Sequence, residues 1–525
     1  MRLSTFIFFC LLVASLTIKS QTTFQKTFGG TGSDYGFSIS PSANKGFIIA
    51  GYTDSYSAGA NDFFVTKTDS LGNTVWQTAY GGTRDDEGYC AKQTNDGGFI
   101  IAGYSKSFGA INYNAYLVKT NANGDTLWTK TYGGLSNDFT NSIQQTSDGG
   151  YILAGYTTTF VTGADSGNIY LIKTDGLGNL KWTKSFGANT AISDGYSIAQ
   201  TSDNGYIITG YTNGFNEPNG DAFLLKTDSL GNIMWTKTYG SAGVDWGNSV
   251  KQTTDGGYIM AGSASFDTTN LTDVYLIKTN AVGDTLWTKT YGGAGYDFGQ
   301  SLDITTDGGF IITGYTNSYG AGNYDVYLIK TDANGNISWS SVIGSTGDDE
   351  GNSVYQTADG GYAIAGVSNS YGAGDYDVYL IKTDANGNTC NQTTAATNIG
   401  FPKTIQTTQI AQSYTTNTVL NHVHTLLDTA SLSTDICMQS SINPIVTDKI
   451  NLTVFPNPST GIFTVLLTNS DEKKATVTVQ NILGETVYTS NTLKEINVQY
   501  LPSGAYFIKI STPTKVYSQK VQIFK

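Results

Sequence analysis

The sequence has little charge and almost no histidine or arginine. Of its 525 residues 14% are charged and two are His, and after Arg2 the only arginine is Arg84. The formal net charge is −13. Nucleic acids, anionic membranes and phosphate groups are bound by clustered cations, so these ligand classes are disfavoured, and neutral sugars or cationic ligands suit the chain better. Residues 21–390 contain no histidine, which excludes a Ser/His/Asp or Cys/His catalytic set there.

Long apolar runs are also lacking. The only candidate, residues 6–18, follows Arg2 and is too short to span a bilayer comfortably. Residues 1–20 therefore read as a secretory signal that is cleaved after Ser20. No later segment is apolar enough to be transmembrane.

Cysteine is scarce, with four in the whole chain. In an exported protein the pair Cys390 and Cys437 is predicted to form a disulfide. Cys90 stands where the other copies of a repeat, described next, have serine, so we interpret it as a small buried residue.

Glycine and tyrosine, by contrast, are abundant, with 62 and 34 residues, and they recur at a fixed period. Each copy of the repeat opens on an aromatic residue, and these are Phe24, Trp76, Trp128, Trp182, Trp235, Trp287 and Trp339. The intervals are 52, 52, 54, 53, 52 and 52 residues. The sequence therefore contains seven copies of one structural unit.

Each copy predicts four short strands. They are the WTKTYG run, the run that ends at QTxDGG, the YIIAGYT run, and the DVYLIKT run that DxxGN closes. The DGG and GN steps are turn sequences, because Gly and Asn adopt positive φ easily. DGG should join the second and third strands, and DxxGN should join the fourth to the next WTKTYG strand.

A period near 50 with four strands per unit is typical of a β-propeller. The first copy begins with a WTKTYG-type strand at residues 23–29, while the last copy lacks one because Cys390 occupies the Trp position. Pairing the spare strand with the last copy would close a seven-bladed ring. The predicted fold class is thus all-β, a seven-bladed β-propeller over residues 21–390 closed by an N-terminal strand. An open β-solenoid or two smaller units are the alternative.

Residues 22–390 resemble the β-propeller repeats of bacterial secreted and surface proteins. The resemblance lies in the recurring YGGxxxDxGxS, QTxDGGYIIAGYT and KTDxxGN motifs. It implies a propeller but no single activity. The KTDxxGNxxW ending is also similar to tryptophan-docking repeats of quinoprotein propellers, but no cofactor ligands match, so no cofactor is predicted from it.

Residues 391–447 are rich in Thr, Gln, Asn and Ser and show no repeat, which predicts a linker or a small irregular cap. His422 and His424 alternate on a predicted extended stretch and could face one metal ion, but no third ligand is evident. An ordinary polar strand face is the preferred interpretation.

Residues 448–525 alternate apolar and polar residues between Gly and Pro turns, which predicts a small β-sandwich. The FPNPSTGIFTV, LGETVY and LPSGAYFIKI segments resemble the C-terminal sorting domain of type IX secretion. The resemblance implies export through the periplasm of a Gram-negative bacterium, with the type IX machinery as partner. The protein would then be secreted or held at the cell surface.

A carboxylate recurs at the start of the second strand of every copy, and these candidates are Asp34, Asp86, Asp138, Asp194, Asp245, Asp297 and Asp349. They could bind a ligand or, if the ring takes a cation, calcium. The preferred interpretation is that each caps a turn through its own backbone. The loops at their end of the repeat vary in length, so ligand contact is expected at that end.

Aromatic residues follow several of these aspartates, namely Tyr35, Phe139, Trp246 and Phe298. Aromatic rings beside carboxylates can hold a sugar, although packing between blades is the alternative. Trp246 is the strongest candidate because it lies outside the repeating tryptophans. An Asp or Asn placed five residues before a Lys in every copy suggests hydrogen bonding between blades.

Two functions remain open. The first is a non-enzymatic binding or adhesion module for a glycan or protein. The second is a carboxylate-dependent glycoside hydrolase or polysaccharide lyase. An enzyme should break the seven-fold pattern with a unique acid pair, and the densest acid clusters are at residues 85–87 and 348–350. The breaks are few, so binding is preferred.

Overall fold

The computed structural model describes residues 21–161, 166–187, 191–214, 219–265 and 271–389. Beyond these it describes residues 392–393, 413–414, 419–422, 427–428, 432–441, 452–455, 460–467, 476–481, 485–490, 495–511 and 516–523. The predicted signal (residues 1–20), Cys390 and His424 lie outside the described residues. The predicted disulfide and the two-histidine interpretation therefore remain predictions.

The structure is all-β. The first strand is β1 (Gln21–Gly29), and a 3-10 turn lies at Ala43–Lys45. Sheet 1 comprises β2 (Asp34–Pro41), β3 (Phe47–Thr53), β4 (Asp62–Thr68) and β5 (Thr74–Tyr80). Sheet 2 comprises β6 (Asp86–Gln93), β7 (Phe99–Ser105), β8 (Asn114–Thr120) and β9 (Thr126–Tyr132). Sheet 3 comprises β10 (Asp138–Gln145), β11 (Tyr151–Thr157), β12 (Asn168–Thr174) and β13 (Leu180–Phe186).

Sheets 4 to 7 repeat this plan. Sheet 4 comprises β14 (Ser193–Gln200), β15 (Tyr206–Thr212), β16 (Asp221–Thr227) and β17 (Ile233–Tyr239), and sheet 5 comprises β18 (Asp245–Gln252), β19 (Tyr258–Ser265), β20 (Thr272–Thr279) and β21 (Thr285–Tyr291). Sheet 6 comprises β22 (Asp297–Ile304), β23 (Phe310–Thr316), β24 (Asp325–Thr331) and β25 (Ile337–Ile343). Sheet 7 comprises β26 (Asp349–Gln356), β27 (Tyr362–Ser368) and β28 (Asp377–Thr383) with β1.

Each sheet is an antiparallel meander whose first strand we call the inner strand and whose fourth we call the outer strand. In sheet 1 the register pairs Asp34 with Thr53 and Thr53 with Asp62. The starts of the inner strands therefore share one end of the sheet with the connections after the second and fourth strands. We call this the loop end, and the opposite end, which carries the DGG and DxxGN turns, the turn end.

Sheet 7 takes its outer strand from the other end of the sequence. β1 pairs antiparallel with β28, with Phe24 opposite Lys382 and Phe28 opposite Val378. The predicted pairing of residues 23–29 with the last copy is therefore present. A hydrogen bond from Tyr379 to the side chain of Gln25 adds to it.

Neighbouring sheets pack through apolar cores. Six clusters of buried residues lie between consecutive sheets from 1 to 7. A seventh joins sheet 7 to sheet 1 and contains Phe24 and Phe28, both fully buried, with Ile39 and Phe47. The largest apolar side chains thus stabilise contacts between sheets.

The repeating tryptophans lie on the outer strands and pack on the DxxGN turn of the next sheet. Trp76 donates a hydrogen bond from Nε1 to the Ala122 carbonyl at 3.1 Å. Gly124 in that turn has φ +89°, and a Cβ there would lie 3.1 Å from the Trp76 ring. The glycine is required both for the left-handed turn and for the close approach of the indole.

One ion pair recurs at the turn end of six sheets. In sheets 2 to 7 the lysine near the end of the third strand binds the aspartate of the DGG turn in its own sheet, or of the DNG turn that replaces it in sheet 4, where Lys226 Nζ lies 2.9 Å from Asp203 Oδ2. The other pairs are Lys119–Asp96, Lys173–Asp148, Lys278–Asp255, Lys330–Asp307 and Lys382–Asp359. The lysines therefore hold turns within sheets, which differs from the predicted bonding between blades.

Residues 392–441 add short strands to the outer edges of five sheets. β29 (Gln392–Thr393) pairs with sheet 6, β30 (Ser413–Tyr414) with sheet 3, β31 (Val419–His422) with sheet 2, β32 (Leu427–Asp428) with sheet 1 and β33 (Leu432–Ser441) with β1 of sheet 7. In chain order, β30 to β33 thus lie on sheets 3, 2, 1 and 7. The sequence predicts a linker or a small irregular cap here. The described strands instead extend sheets of the repeat region.

The described residues divide into two compact units, with the boundary between Ser441 and Ile442. The second unit has a three-stranded sheet of β34 (Leu452–Phe455), β35 (Ile462–Leu467) and β38 (Glu495–Asn497). Its four-stranded sheet comprises β36 (Thr476–Gln480), β37 (Thr486–Ser490), β39 (Gly504–Ser511) and β40 (Val516–Ile523). Apolar residues from both sheets, such as Phe463 and Ile508, share one core.

Candidate functional site

Six of the recurring aspartates are the first residues of inner strands and are fully buried. Asp34 Oδ2 accepts hydrogen bonds from the Gly30 amide at 2.8 Å and from Ser55 Oγ at 2.6 Å. Asp86, Asp138, Asp245, Asp297 and Asp349 accept the equivalent bond from the amide four residues earlier. Burial raises the pKa of Asp34 above its usual value, although these hydrogen bonds oppose the shift. With 0% exposure, the six carboxylates cannot contact a ligand, and they cap the connection between sheets.

Asp194 belongs to a different set. Ser193 is the first residue of its inner strand and pairs with Thr212, and its Oγ lies 2.8 Å from Thr212 Oγ1. Asp194 pairs with Tyr211, as Tyr35 pairs with Tyr52 and Trp246 with Ser263. The spacing of the repeat predicts Asp194 among the buried aspartates, but the register moves it by one residue onto the other face of the strand.

The second residues of the seven inner strands are Tyr35, Glu87, Phe139, Asp194, Trp246, Phe298 and Glu350. All are half-buried. Residues two positions further share their face, because side chains alternate along a strand. They are Phe37, Tyr89, Asn141, Tyr196, Asn248, Gln300 and Asn352.

Eleven of these fourteen side chains, together with Ser263 and Tyr315, line a cavity of about 530 Å³, which we call the central cavity. Its aromatic lining is Tyr35, Phe37, Tyr89, Tyr196, Trp246, Phe298 and Tyr315. Its polar lining is Asn141, Asn248, Gln300, Asn352, Ser263 and Glu350. Every one of the seven inner strands contributes, and the volume is in the range of small-ligand sites.

Aromatic contacts continue from the cavity to the loop end. Phe37 stacks on Tyr89 with centroids 4.7 Å apart, and Tyr35 stacks on Tyr52 at 4.8 Å. Trp246 stacks on Tyr211 at 6.4 Å. Of the predicted aromatic residues, Tyr35, Trp246 and Phe298 line the cavity.

Phe139 has a different environment. Its ring packs against Tyr104 at 4.8 Å and Tyr113 at 5.3 Å, between sheets 2 and 3. Among the residues that line the central cavity in the described structure, Phe139 does not appear. Its contacts fit the packing interpretation.

Three asparagines of the cavity wall bind the neighbouring sheet. Asn141 Nδ2 donates to the Gly195 carbonyl at 3.1 Å, and Asn248 Nδ2 to the Gly299 carbonyl at 2.8 Å. Asn352 Nδ2 donates to the Gly36 carbonyl at 3.1 Å and so joins sheet 7 to sheet 1. Sequence reasoning missed these amides, although their position two residues after the aromatic ring could have located them.

Three acids stand in the ring of second residues and differ in their partners. Glu87 accepts hydrogen bonds from Asn61 at 3.0 Å and Tyr89 at 3.1 Å. Asp194 accepts one from Asn141 at 3.0 Å, and burial still raises its pKa to about 7. Burial and the nearby charge of Asp348 raise the pKa of Glu350 to about 7.

Of these three acids, Glu350 is the one whose charge is not balanced by a donor or a cation of the described residues. None of the described residues donates a hydrogen bond to its carboxylate or forms an ion pair with it. Its face toward the central cavity is therefore where a polar or charged ligand group can approach.

The possible metal ligands and the one free cysteine of the described residues are further candidate functional groups. No three His, Cys, Asp or Glu side chains in the described part of the chain lie close enough together to hold a metal ion. The backbone of His422 pairs with Thr129 at the edge of sheet 2. Cys90 is a buried free thiol, 3.9 Å from Ser38 Oγ, which fits the small-residue interpretation.

The C-terminal unit matches the family model of the secretion system C-terminal sorting domain over residues 453–524. This match confirms the sorting-domain prediction, and the protein is exported by type IX secretion to the cell surface or the medium. The described residues contain no helix that is long and apolar enough to cross a membrane.

The chain is also distantly similar to other known proteins. The regulatory protein FlaEY of Caulobacter vibrioides is 28% identical over 138 residues, which is 22% of this chain and 14% of that protein. The extracellular domain of a putative one-component system of B. thetaiotaomicron has a TM-score of 0.39 at 9% identity, covering 96% of this chain and 58% of that one. Sqt1 of Chaetomium thermophilum has a TM-score of 0.37 at 11% identity, covering 66% and 82%. Similarities this low carry no information on the function of this chain.

Proposed function

We propose that this exported protein is a seven-bladed β-propeller that binds a glycan, without catalysis, in the central cavity at the loop end. Support for the closed ring comes from the pairing of β1 with β28, the core between sheets 7 and 1 and the Asn352 to Gly36 hydrogen bond. Radial closure leaves no open sheet face between the first and last blades.

The observation that carries the binding proposal is the composition of the central cavity. Seven aromatic side chains and four side-chain amides line it, and none of its described lining residues is a lysine or arginine. Aromatic faces stack on sugar rings, and amides donate to and accept from hydroxyl groups. Anionic ligands would meet no compensating cation there.

A glycan array probed with the purified protein, with and without calcium, tests the proposal. We expect binding to a restricted set of neutral or cationic glycans, and a loss of binding for Trp246→Ala. Truncating an aromatic anchor typically weakens binding by about 2 kcal/mol or more. Absence of binding under every condition would contradict the proposal.

A carboxylate-dependent enzyme is the second candidate, because Glu350 and Asp194 both have pKa values raised to about 7. A carboxylic acid that is protonated near neutral pH can act as a general acid. Release of reducing ends from a polysaccharide by the wild-type protein, and its loss in Glu350→Gln, would favour this function over binding alone.

A further inference from the structure

Sheet 7 has an acid cluster at its loop end, formed by Asp348 and Glu350 together with Tyr376. Tyr376 donates its hydroxyl to Asp348 Oδ2 at 3.1 Å, and Oδ1 of the same carboxylate is buried without a hydrogen-bond partner. Glu350 lines the cavity two residues later. Tyr35 of sheet 1 covers Tyr376, with ring centroids 5.2 Å apart.

Sheet 2 has the same arrangement with a cation built into it. Tyr113 donates its hydroxyl to Asp85 Oδ2 at 3.4 Å, as Tyr376 does to Asp348. Lys106 Nζ lies 3.9 Å from Asp85 Oδ2 and 5.0 Å from the centre of the Tyr113 ring. The chain thus holds its own ammonium group between a carboxylate and an aromatic face, where both attract it.

Asn369 occupies the place of Lys106 in sheet 7. The Asn369 amide donates to the Asp348 carbonyl at 3.0 Å, as the Lys106 amide does to the Asp85 carbonyl at 2.9 Å. The Asn369 side chain instead accepts a bond from the Asp348 amide at 2.5 Å. None of the described residues therefore supplies the sheet 7 cluster with a cation like the Lys106 ammonium of the sheet 2 cluster.

The space beside the acids also differs. Val367 pairs with Glu350, whereas Tyr104 pairs with Glu87 and packs on Tyr113 at 5.0 Å. A smaller side chain next to Glu350 leaves its carboxylate facing the cavity. Glu87, held by Asn61 and Tyr89, is not among the residues that line it in the described structure.

From this pair of clusters we infer that Asp348, Glu350 and Tyr376 bind a protonated primary amine of the ligand, and that the glycan is an amino sugar. The inference rests on the proposed glycan-binding function. The ligand ammonium would take the position that Lys106 fills in sheet 2, while its sugar ring stacks on the cavity aromatics. An uncompensated carboxylate in an aromatic site is a strong partner for such a cation.

The ionisation of Glu350 gives the inference a pH signature. The charged group beside Glu350 is Asp348, and the tyrosines that interact with its charge, Tyr35, Tyr315, Tyr324 and Tyr376, have pKa values above 10 and stay neutral. Glu350 binds a cation only when ionised. Affinity for an amine that itself stays protonated over this range, such as butylamine, should therefore rise as the pH increases from 5.5 to 8, while affinity for a neutral sugar should stay level.

Calorimetric titration of the full chain with glucosamine oligomers and with their fully N-acetylated counterparts tests the inference. We expect the free amine to bind about tenfold or more tightly, and Glu350→Gln to remove that preference, because a charge-assisted hydrogen bond of this kind contributes about 1.5–3 kcal/mol. Glu87→Gln is the matched control and should leave both affinities unchanged.

A reciprocal pair of variants separates cation recognition from folding. Asn369→Lys copies sheet 2 and should abolish the amine preference while N-acetylated oligomers still bind. Lys106→Asn copies sheet 7 and should add a second, weaker amine site. Equal binding of both oligomers with no effect of Asn369→Lys would overturn the inference and leave the proposed function standing.

Two other outcomes would also decide the matter. Failure of both oligomers and of every other glycan to bind would count against the proposed function itself. Binding of butylamine or of calcium chloride at this site with no binding of glucosamine oligomers would overturn the amino-sugar assignment.

Discussion

The turn end and the loop end of the seven sheets share the same strands but differ in how they use charge. At the turn end, DGG aspartates pair with lysines in sheets 2 to 7 at 2.8–3.1 Å. At the loop end, buried aspartates and half-buried acids lie beside aromatic rings, and burial raises the pKa values of Asp34, Asp194 and Glu350. Repetition at one end maintains the fold, and variation at the other end leaves room for a ligand.

Strand β1 joins sheet 7 to sheet 1 and so supports both ends of the sheets. A substitution in β1 should therefore cause the largest loss of stability. Phe28→Ala removes a fully buried ring from the core between these sheets. We expect a loss of about 4 kcal/mol in the free energy of unfolding, measured by chemical denaturation. Phe507→Ala, at a side chain 41% exposed in the C-terminal unit, is the control and should change little. An unchanged midpoint for Phe28→Ala would contradict closure through β1.

The two ends should respond differently to loss of a tryptophan. Trp235 packs on Gly283 in the turn of the next sheet, so Trp235→Ala should destabilise the protein by about 3 kcal/mol without changing ligand specificity. Trp246→Ala, in the central cavity, should abolish glycan binding at a much smaller loss of stability. Denaturation and glycan-array measurements on both variants check this. The reverse pattern would place the ligand at the turn end.

A smaller effect is expected from an ion pair of the turn end. Asp203→Ala leaves the Lys226 ammonium, 3% exposed, without its carboxylate. Orphaning a buried charge is destabilising, but Asp203 is half exposed, so we expect about 2 kcal/mol. Thermal unfolding measures it, with Asp228→Ala in an exposed turn of the same sheet as comparison. Equal effects from both would mean that the ion pair adds nothing beyond the turn.

The smallest expected effect is on the pH dependence of stability, which should have opposite signs at the loop end and at the turn end. Burial raises the pKa of Asp62 to about 7 and that of Asp377 to about 6, so their protonation adds stability as the pH falls from about 7.5 to 5. Asp203 and Asp307 are also partly desolvated, but hydrogen bonds and their lysines lower their pKa values to about 2, so stability is lost as the pH falls from about 4 to 2. Stability should therefore be greatest near pH 4.5.

Asp62→Asn isolates the neutral side of this profile. Sheets 2 and 3 already have Asn114 and Asn168 at the same place, so the amide fits the site. The variant should melt about 2 °C higher than the wild type at pH 7.5 and show no advantage at pH 4.5. A lower melting temperature at pH 7.5 would show that the carboxylate is ionised and stabilised there.

The repeat determined most of what the sequence could predict. Its period gave seven four-stranded units, and its phase gave the pairing of residues 23–29 with the last copy, because turns and alternation are local signals. Asp194 was misplaced because one inserted residue shifts a strand by one position and exchanges its faces. Only the register could correct that.

Other features were beyond a local pattern. The Lys226 partner Asp203 lies 23 residues away across two strands, so spacing favoured the nearer Asp221. Residues 392–441 show no periodic pattern, because each of their strands adds a few residues to an edge that another part of the chain supplies. The central cavity combines one or two side chains from each of seven inner strands, and no single stretch of sequence contains it.

Tryptophan fluorescence tests the central claim, that the ligand binds at the loop end, most directly. Of the seven tryptophans only Trp246 lines the central cavity, while the other six lie on outer strands. Titration with a glycan identified on the array should change the emission of the wild-type protein, and Trp246→Phe should bind the same glycan with no change in emission. A full-sized change in Trp246→Phe would place the ligand near the outer strands and contradict the account.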